Sequence, residues 1–329
     1  MAVAAAGCTT QQTNTPTPTV AATPLPTIKT VTDDYGRSVT IPYTITLVSS
    51  PYPQFDLTMD MLGVGKTDIA SRDIIVSNPT LTIFNPALAN VSTPWANGGL
   101  NAEQLLAAQP QVVFITSYNK NLQALLDTGL PVVVMNFTTN DDYLKAVALM
   151  GDVYGGNAQK IAGDYISYVN GEQANITSRV ANIPAGQRQV FLQTAYHSDM
   201  GWFSEGPTDN LETLLTKCGG VSAFQGYNVS GGYVTEEQIL VYAKNATIIF
   251  AYDNATAEQI RSDKAWQNVP AVKNDQIYVY PTGIMSWTYS APEYEALLPI
   301  WAAKTMYPGE FKDVDFAGRM KYFYPTFMH

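Results

Sequence analysis

The chain has few of the residues that metal centres and disulfide-stabilised folds require. It contains only two cysteines, Cys8 and Cys218, and two histidines, of which His197 alone is internal. Two cysteines cannot build a disulfide framework. A site for a bare zinc or manganese ion needs several histidine and carboxylate side chains around the metal. The sequence therefore predicts neither a disulfide scaffold nor a bare transition-metal site.

Positive charge and long hydrophobic runs are also scarce. The net charge is -10 with a pI near 4.6, and lysine and arginine form no cluster. A surface for nucleic acid or anionic membranes needs such a cluster. No apolar run reaches the length of about eighteen residues that crosses a bilayer. With 46% hydrophobic residues the chain can still bury large cores, so we expect a globular protein that is soluble or tethered to a membrane.

Catalytic motifs are missing as well. There is no GxSxG elbow, phosphate-binding loop or HExxH motif. His197, Ser198 and Asp199 are adjacent, and adjacent side chains point in different directions, so they do not indicate a catalytic triad. Cys218 follows an apolar segment and is predicted to be a buried core thiol. The absence of these motifs argues against an enzyme, and nothing in the sequence calls for a cofactor.

The first residues carry the signature of a tether. Residues 5–8, Ala-Ala-Gly-Cys, look like a bacterial lipobox that ends in a cysteine for lipidation, Cys8. Residues 9–27 are rich in proline and threonine, a composition that suits a semi-rigid surface stalk. Only four residues precede the lipobox, so we expect the natural leader to have been trimmed. Residues 1–27 are therefore predicted to be a lipidated tether.

The rest of the chain alternates short β-type runs with helical patterns, which is typical of parallel sheets covered by crossover helices. Apolar runs predict strands at 44–50, 111–117, 131–137, 189–195, 246–252 and 276–281. Helical spacing predicts helices at 102–108, 122–129, 210–220 and 235–243. The strands fall into two groups of three, one in each half of the chain.

A longer helical pattern separates these two groups. Apolar residues recur at steps of three and four over residues 157–183, and a helix of roughly 25 residues would extend nearly 40 Å. We predict an α/β fold of two Rossmann-like lobes, residues 28–155 and 185–329, joined by a backbone helix at 156–184. Such a fold places its ligand between the lobes, at the carboxyl ends of the strands. A rigid connector predicts small closure motions.

Several segments in fixed order resemble one family, the periplasmic binding proteins that deliver ferric siderophores, haem or cobalamin to ABC importers. The segments are VTDDYGRSVTIP (31–42), LNAEQLLAAQPQVVFI (100–115), VTEEQILVYAKNATIIF (234–250) and AWQNVPAVKNDQIYVYP (265–281). The resemblance implies a monomeric, lipid-anchored, extracytoplasmic subunit that captures a metal chelate between its lobes and delivers it to a permease and its ATPase. Two alternatives remain open: a molybdate or tungstate oxyanion as the ligand, and a cofactor-processing enzyme on the same fold.

The resemblance also implies two docking residues. In this family a glutamate on each lobe pairs with arginines of the permease, and the matching positions are Glu103 and Glu237. Glu236 could substitute for its neighbour. The alternative is that both are ordinary carboxylates at helix starts, where the helix dipole favours them.

The predicted ligand residues lie after the strands. Aromatic side chains there suit a large flat ligand; they are Tyr52, Trp95, Tyr118, Tyr196, His197, Trp202, Trp287 and Tyr289. Arg72 is expected either to bind a carboxylate or oxyanion in a bidentate manner or to form a surface ion pair near Asp73. If the ligand is an oxyanion, donors such as Arg72, Ser50, Thr116 and backbone amides matter more than the aromatic residues.

Overall fold

A computed structural model of the chain describes residues 1, 27–229 and 231–328. The predicted lipidation site Cys8, and the tether except for its two end residues, lie outside the described residues. The strands are β1 Ile28–Thr32, β2 Ser38–Pro42, β3 Val48–Ser49, β4 Asp68–Arg72, β5 Ser92–Trp95, β6 Val112–Thr116, β7 Val132–Met135, β8 Val190–His197, β9 Gly201–Ser204, β10 Val221–Ser222, β11 Gly232–Val234, β12 Ile248–Ala251 and β13 Ile277–Val279.

The helices alternate with these strands through most of the chain. They are α1 Pro53–Met61, α2 Asp73–Val76, α3 Pro79–Phe84, α4 Ala102–Ala108, α5 Leu122–Leu126, α6 Asn140–Tyr154, α7 Gly156–Val180, α8 Asn210–Lys217, α9 Glu236–Ala243, α10 Asn254–Ser262, α11 Pro270–Lys273, α12 Pro292–Met306 and α13 Phe316–Phe327. Within residues 27–229 and 231–328, no helix combines the length and hydrophobicity needed to cross a membrane.

The first half forms a five-stranded sheet in the order β5-β4-β3-β6-β7. Every neighbouring pair in it is parallel. All residues of β6 and β7 are buried, as the apolar runs predict for strands covered on both faces. The parallel order brings the carboxyl ends of all five strands to one edge.

One strand of this sheet is much shorter than predicted. The run at 44–50 forms a strand only at Val48–Ser49. The backbone N–H groups of Thr46 and Leu47 donate instead to the side-chain oxygen of Gln111, at 2.7 and 3.1 Å. This side chain replaces the strand ladder, and β3 begins after it.

The second sheet has the order β11-β9-β8-β12-β13, and β10 also pairs with β8. Its core, β8, β12 and β13, is parallel as expected. The expectation of a purely parallel sheet is corrected at one edge, where β9 pairs antiparallel with both β8 and β11. Only three residues, 198–200, link β8 to β9. That link is too short for a crossover helix, so the chain must turn back as a hairpin.

The long helix α7 connects the two halves. It has 25 residues and buries a stripe that includes Ala158, Ala162, Tyr165 and Val169. The stripe packs against α6 and α12. The phenol of Tyr165 donates a 2.9 Å hydrogen bond to the backbone oxygen of Pro292, at the start of α12. A backbone helix is therefore present where the spacing predicts one, shorter by a few residues at its end.

The core is continuous across the two halves. One cluster of buried side chains includes Val48 and Phe114 of the first sheet together with Phe191 and Phe250 of the second. Residues of α12 and α7 fill the space between them. Wide separation of the halves would expose this shared core, which favours the small closure that the sequence predicts.

Candidate functional site

Polar side chains collect at the carboxyl edge of the first sheet. Ser49, Ser50, Ser71 and Thr116 are all buried there, none more than 2% exposed. Ser71 Oγ donates to the Ser50 carbonyl at 3.1 Å, and Ser49 Oγ donates to the Ala70 carbonyl at 2.6 Å. These bonds tie β3 to β4 and hold the strand ends rigidly, which is what a binding edge requires.

Tyr52 lies across this edge from one strand end to another. It follows β3 and precedes α1, and its ring packs edge-on against Phe55 with centroids 5.5 Å apart. Its phenolic oxygen accepts hydrogen bonds from Thr116 Oγ1 at 2.9 Å and from the Asn119 amide at 2.6 Å. Asn119 was not predicted from sequence, because its role depends on the distance between two loops that follow different strands.

Arg72 ends β4, beside the buried serines. It is half-buried, and among the described residues no carboxylate lies within ion-pairing distance of its guanidinium. The oxygens of neighbouring Asp73 accept backbone N–H groups of Ile74 and Asn97 instead, at 2.9 and 3.4 Å. The predicted alternative of a surface ion pair near Asp73 is therefore not what the structure has.

Tyr118 follows β6 and stands beside Tyr52. Tyr118 is 60% exposed. Partial burial, and then the neighbouring Tyr52 phenol, raise the pKa of Tyr118. The structure thus brings Ser50, Tyr52, Arg72 and Tyr118 to one edge, as the sequence predicts.

The three tryptophans that were expected to form exposed walls of the ligand site are buried instead. Trp95, Trp202 and Trp287 are each 2% exposed. The Trp95 indole donates to Ser49 Oγ at 3.1 Å, beneath the edge. Trp202 packs against Trp266 with ring centroids 4.6 Å apart, and Trp287 packs against Phe316 at 6.1 Å. Large apolar rings gain more by filling cores than by facing water, and a position after a strand does not reveal which way a side chain points.

The remaining aromatic candidates lie in the second half. Tyr196 and His197 end β8, and His197 packs edge-on against Tyr233 with centroids 5.7 Å apart. Tyr196 packs against Trp202 at 4.9 Å. Tyr289 follows the last strand and is 54% exposed. These side chains form no polar cluster like that of the first sheet.

A polar group that sequence reasoning missed lies at the strand ends of the second sheet. The phenol of Tyr252, which follows β12, donates a 3.0 Å hydrogen bond to Glu205 Oε1. Burial raises the pKa of Glu205 to about 6 and that of nearby Glu212 to about 8. The buried Gln193 of β8 lies close to both and opposes both shifts. Glu205 lies in the loop after β9 and Glu212 in α8, so the pair carries no local signature that sequence could reveal.

The two docking candidates occupy equivalent positions. Glu103 is the second residue of α4, after the capping side chain of Asn101. Glu237 is the second residue of α9, after the capping side chain of Thr235. Both glutamates are exposed. Hydrogen bonds from its own backbone N–H and from Thr235 lower the pKa of Glu237. Each half therefore presents a carboxylate at a helix start.

Two surface grooves lie away from the polar edge of the first sheet. One, of about 690 Å³, runs between α7 and α13 and contains none of the predicted ligand residues; its lining includes Tyr168, Glu172, Arg179, Asp313, Arg319 and Tyr322. The other, of about 470 Å³, lies beside the β8–β9 hairpin and includes Tyr196, Met200, Trp202, Tyr233, Glu236 and Asp263.

Known proteins resemble this chain in fold and, over most of its length, in sequence. A family model described as periplasmic binding protein matches residues 55–282. The molybdate-binding protein MolA of Haemophilus influenzae is 25% identical, over 90% of this chain and 90% of its own. Its structure with molybdate superposes with a TM-score of 0.78, at 22% identity over 91% of this chain and 98% of that one. A periplasmic solute-binding protein of Veillonella parvula also gives 0.78, at 23% identity over 92% and 93%.

The matched region covers more than half of the chain and contains the backbone helix, the second sheet and every strand of the first sheet except β3. Such proteins bind transported ligands, carry no cofactor and are not enzymes, so the alternative of a cofactor-processing enzyme is not supported. The chain belongs to the periplasmic binding protein family, the extracytoplasmic substrate-binding components of ABC importers.

Proposed function

We propose that this binding protein captures a tetrahedral oxyanion of the molybdate or tungstate type at the carboxyl edge of its first sheet. The observation that carries the proposal is Arg72, a half-buried residue at the end of β4 whose guanidinium has no ion-pairing carboxylate among the described residues. It stands in a protein of net charge -10.

A half-buried arginine normally pairs its guanidinium, because removing charge from water is costly. Its planar fork of N–H groups matches two oxygens of an oxyanion. The hydroxyl group of Tyr52 lies at the same edge and adds a neutral donor, supported by the hydroxyl group of Thr116. The similarity to a molybdate-binding protein of nearly the same length supports this ligand class.

A metal chelate is the second candidate. Its support is the exposed aromatic surface of Tyr118, Tyr233 and Tyr289, which are 60%, 48% and 54% exposed. Aromatic faces bind large flat ligands. The burial of Trp95, Trp202 and Trp287 removes the largest rings from that surface and makes it the weaker proposal.

Delivery completes the proposed function. Glu103 and Glu237, at equivalent helix starts, would contact basic side chains of the permease, because exposed carboxylates on both halves fix orientation and steer association. Lipidation of Cys8 would hold a monomeric protein at the membrane surface beside that permease.

The test compares Arg72→Ala with Arg261→Ala by titration calorimetry against molybdate and tungstate. Arg261 is a matched control, since it pairs with Asp275 at the surface. We expect Arg72→Ala to weaken oxyanion binding about 100-fold, the loss typical when one partner of a desolvated charge pair is removed. The control should bind like the unaltered protein. Equal affinities for both variants would reject Arg72 as the anion site.

A further inference from the structure

We infer that Asn119 is a positioning residue that turns the phenolic hydrogen of Tyr52 toward the ligand, so that Tyr52 donates a hydrogen bond to an oxyanion oxygen. The inference rests on the proposed function and concerns how the same site holds its oxyanion. Asn119 itself need not touch the ligand.

The orientation of the Asn119 amide is set by its own loop. Its side-chain oxygen accepts the backbone N–H of Asn121 at 2.8 Å. Only the amide nitrogen is then left to face Tyr52, whose phenolic oxygen lies 2.6 Å away. An amide nitrogen is solely a donor, so Tyr52 must accept this bond.

The same phenolic oxygen accepts a second bond. Thr116 Oγ1 donates to it at 2.9 Å, from the end of β6. A phenol oxygen offers two acceptor positions and one hydrogen. With both acceptor positions filled, the hydrogen points away from Thr116 and Asn119. Among the described residues the Tyr52 hydrogen has no acceptor of its own.

A third loop supports this arrangement. The side chain of Asn121 donates to the carbonyl of Gly98 at 3.2 Å, in the loop that follows β5. Gly98 has a φ of +68°, a conformation that suits glycine. Hydrogen bonds connect Gly98 to Asn121, Asn121 to Asn119, and Asn119 to Tyr52. They fix the relative positions of loops that follow three different strands.

The consequence is an edge that offers the ligand two donors, the Arg72 guanidinium and the Tyr52 hydrogen. A hydrogen bond to a charged oxyanion oxygen is stronger than one between neutral groups. Asn119 therefore raises oxyanion affinity through the direction in which Tyr52 donates.

A double-mutant cycle tests this with Tyr52→Phe, Asn119→Ala and both together. The probe is molybdate, and binding is measured by titration calorimetry. If Asn119 acts through the Tyr52 hydroxyl, Tyr52→Phe weakens molybdate binding about tenfold, as loss of a hydrogen bond to an anion does. Asn119→Ala then weakens it severalfold in the unaltered protein and has no further effect in the Tyr52→Phe background.

The cycle gives a readout that a purely structural role of Asn119 would not move, because loss of loop structure would weaken binding in both backgrounds. Asn274→Ala, at an exposed asparagine, should leave molybdate affinity unchanged. Additive losses in the cycle would overturn the role of Asn119 and leave the oxyanion site standing. Failure of the unaltered protein to bind molybdate or tungstate would overturn the proposed function and this inference with it.

Discussion

The side-chain amide of Asn140 donates a 2.9 Å hydrogen bond to Oε2 of Glu295, and both residues are 1% exposed. Asn140 begins α6 in the first half, and Glu295 lies in the first turn of α12. Burial raises the pKa of Glu295 to about 8, although the bond from Asn140 opposes the shift. The junction of the halves therefore holds a carboxyl group that is largely protonated at neutral pH.

The raised pKa predicts a stability that falls as the pH rises. The folded protein keeps the Glu295 proton up to about pH 8, whereas an unfolded chain releases it near the ordinary value of 4.5. Between these values the folded state binds more protons, so each pH unit can cost up to about 1.4 kcal/mol for this group. Thermal unfolding should show a Tm that decreases from pH 5 to pH 8.

The variant Glu295→Gln isolates this group. It retains an acceptor for Asn140 and cannot ionise, so its Tm should exceed that of the unaltered protein at pH 7.5 and converge with it near pH 4.5. Glu310→Gln, at an exposed position, serves as the control and should follow the unaltered protein at every pH. A Tm difference that does not vary with pH would contradict the assignment.

The packing of α6 on α7 predicts contrasting effects of two glycine substitutions. A Cβ atom at Gly151 of α6 would lie 2.8 Å from the Ala162 Cβ and 3.2 Å from the Gln159 Cα, whereas at Gly163 of α7 it would meet nothing within 4 Å. Gly151→Ala should therefore destabilise the protein by about 1–3 kcal/mol through overpacking. Gly163→Ala should stabilise it by about 0.5–1 kcal/mol. Urea unfolding measures both, and destabilisation by Gly163→Ala would refute the contrast.

Reversal of both docking charges should separate binding from delivery. Glu103→Arg with Glu237→Arg places positive charge at two helix starts that are proposed to meet basic side chains of the permease. Ligand affinity should stay the same, because neither residue lies among the polar groups of the first sheet's edge. Uptake by cells that depend on this protein should fall about tenfold or more.

The control for that experiment is Glu258→Arg, a charge reversal at another exposed position. It should transport normally. Unchanged uptake by the double variant would reject Glu103 and Glu237 as the docking pair and leave them as ordinary helix-start carboxylates.

Local patterns predicted the elements whose formation depends on nearby residues. The helix at 102–108 is found with the predicted bounds, and the long helix at 156–180 follows its apolar spacing. The strand at 44–50 is shorter than predicted. The side chain of Gln111, more than sixty residues further along the chain, accepts hydrogen bonds from its backbone N–H groups. The short strands β9 and β11 were missed, since their pairing along a hairpin edge leaves no long apolar run.

The candidate site was predictable in position and not in detail. Ser50, Tyr52 and Tyr118 follow strands and Arg72 ends one, and parallel order brings strand ends together. Sequence could not distinguish the exposed Tyr118 from the buried Trp95, because both lie at strand ends and only packing decides which side chain is covered. Asn119 became visible only through its 2.6 Å contact with Tyr52.

Titration calorimetry of the unaltered protein with molybdate tests the central claim most directly, with cyanocobalamin and a ferric siderophore titrated in parallel. The oxyanion proposal predicts saturable binding of one molybdate per chain, competition by tungstate, and no heat of binding from either chelate. Saturable binding of a chelate with no response to molybdate or tungstate would contradict it and would return the exposed tyrosines to the centre of the ligand site.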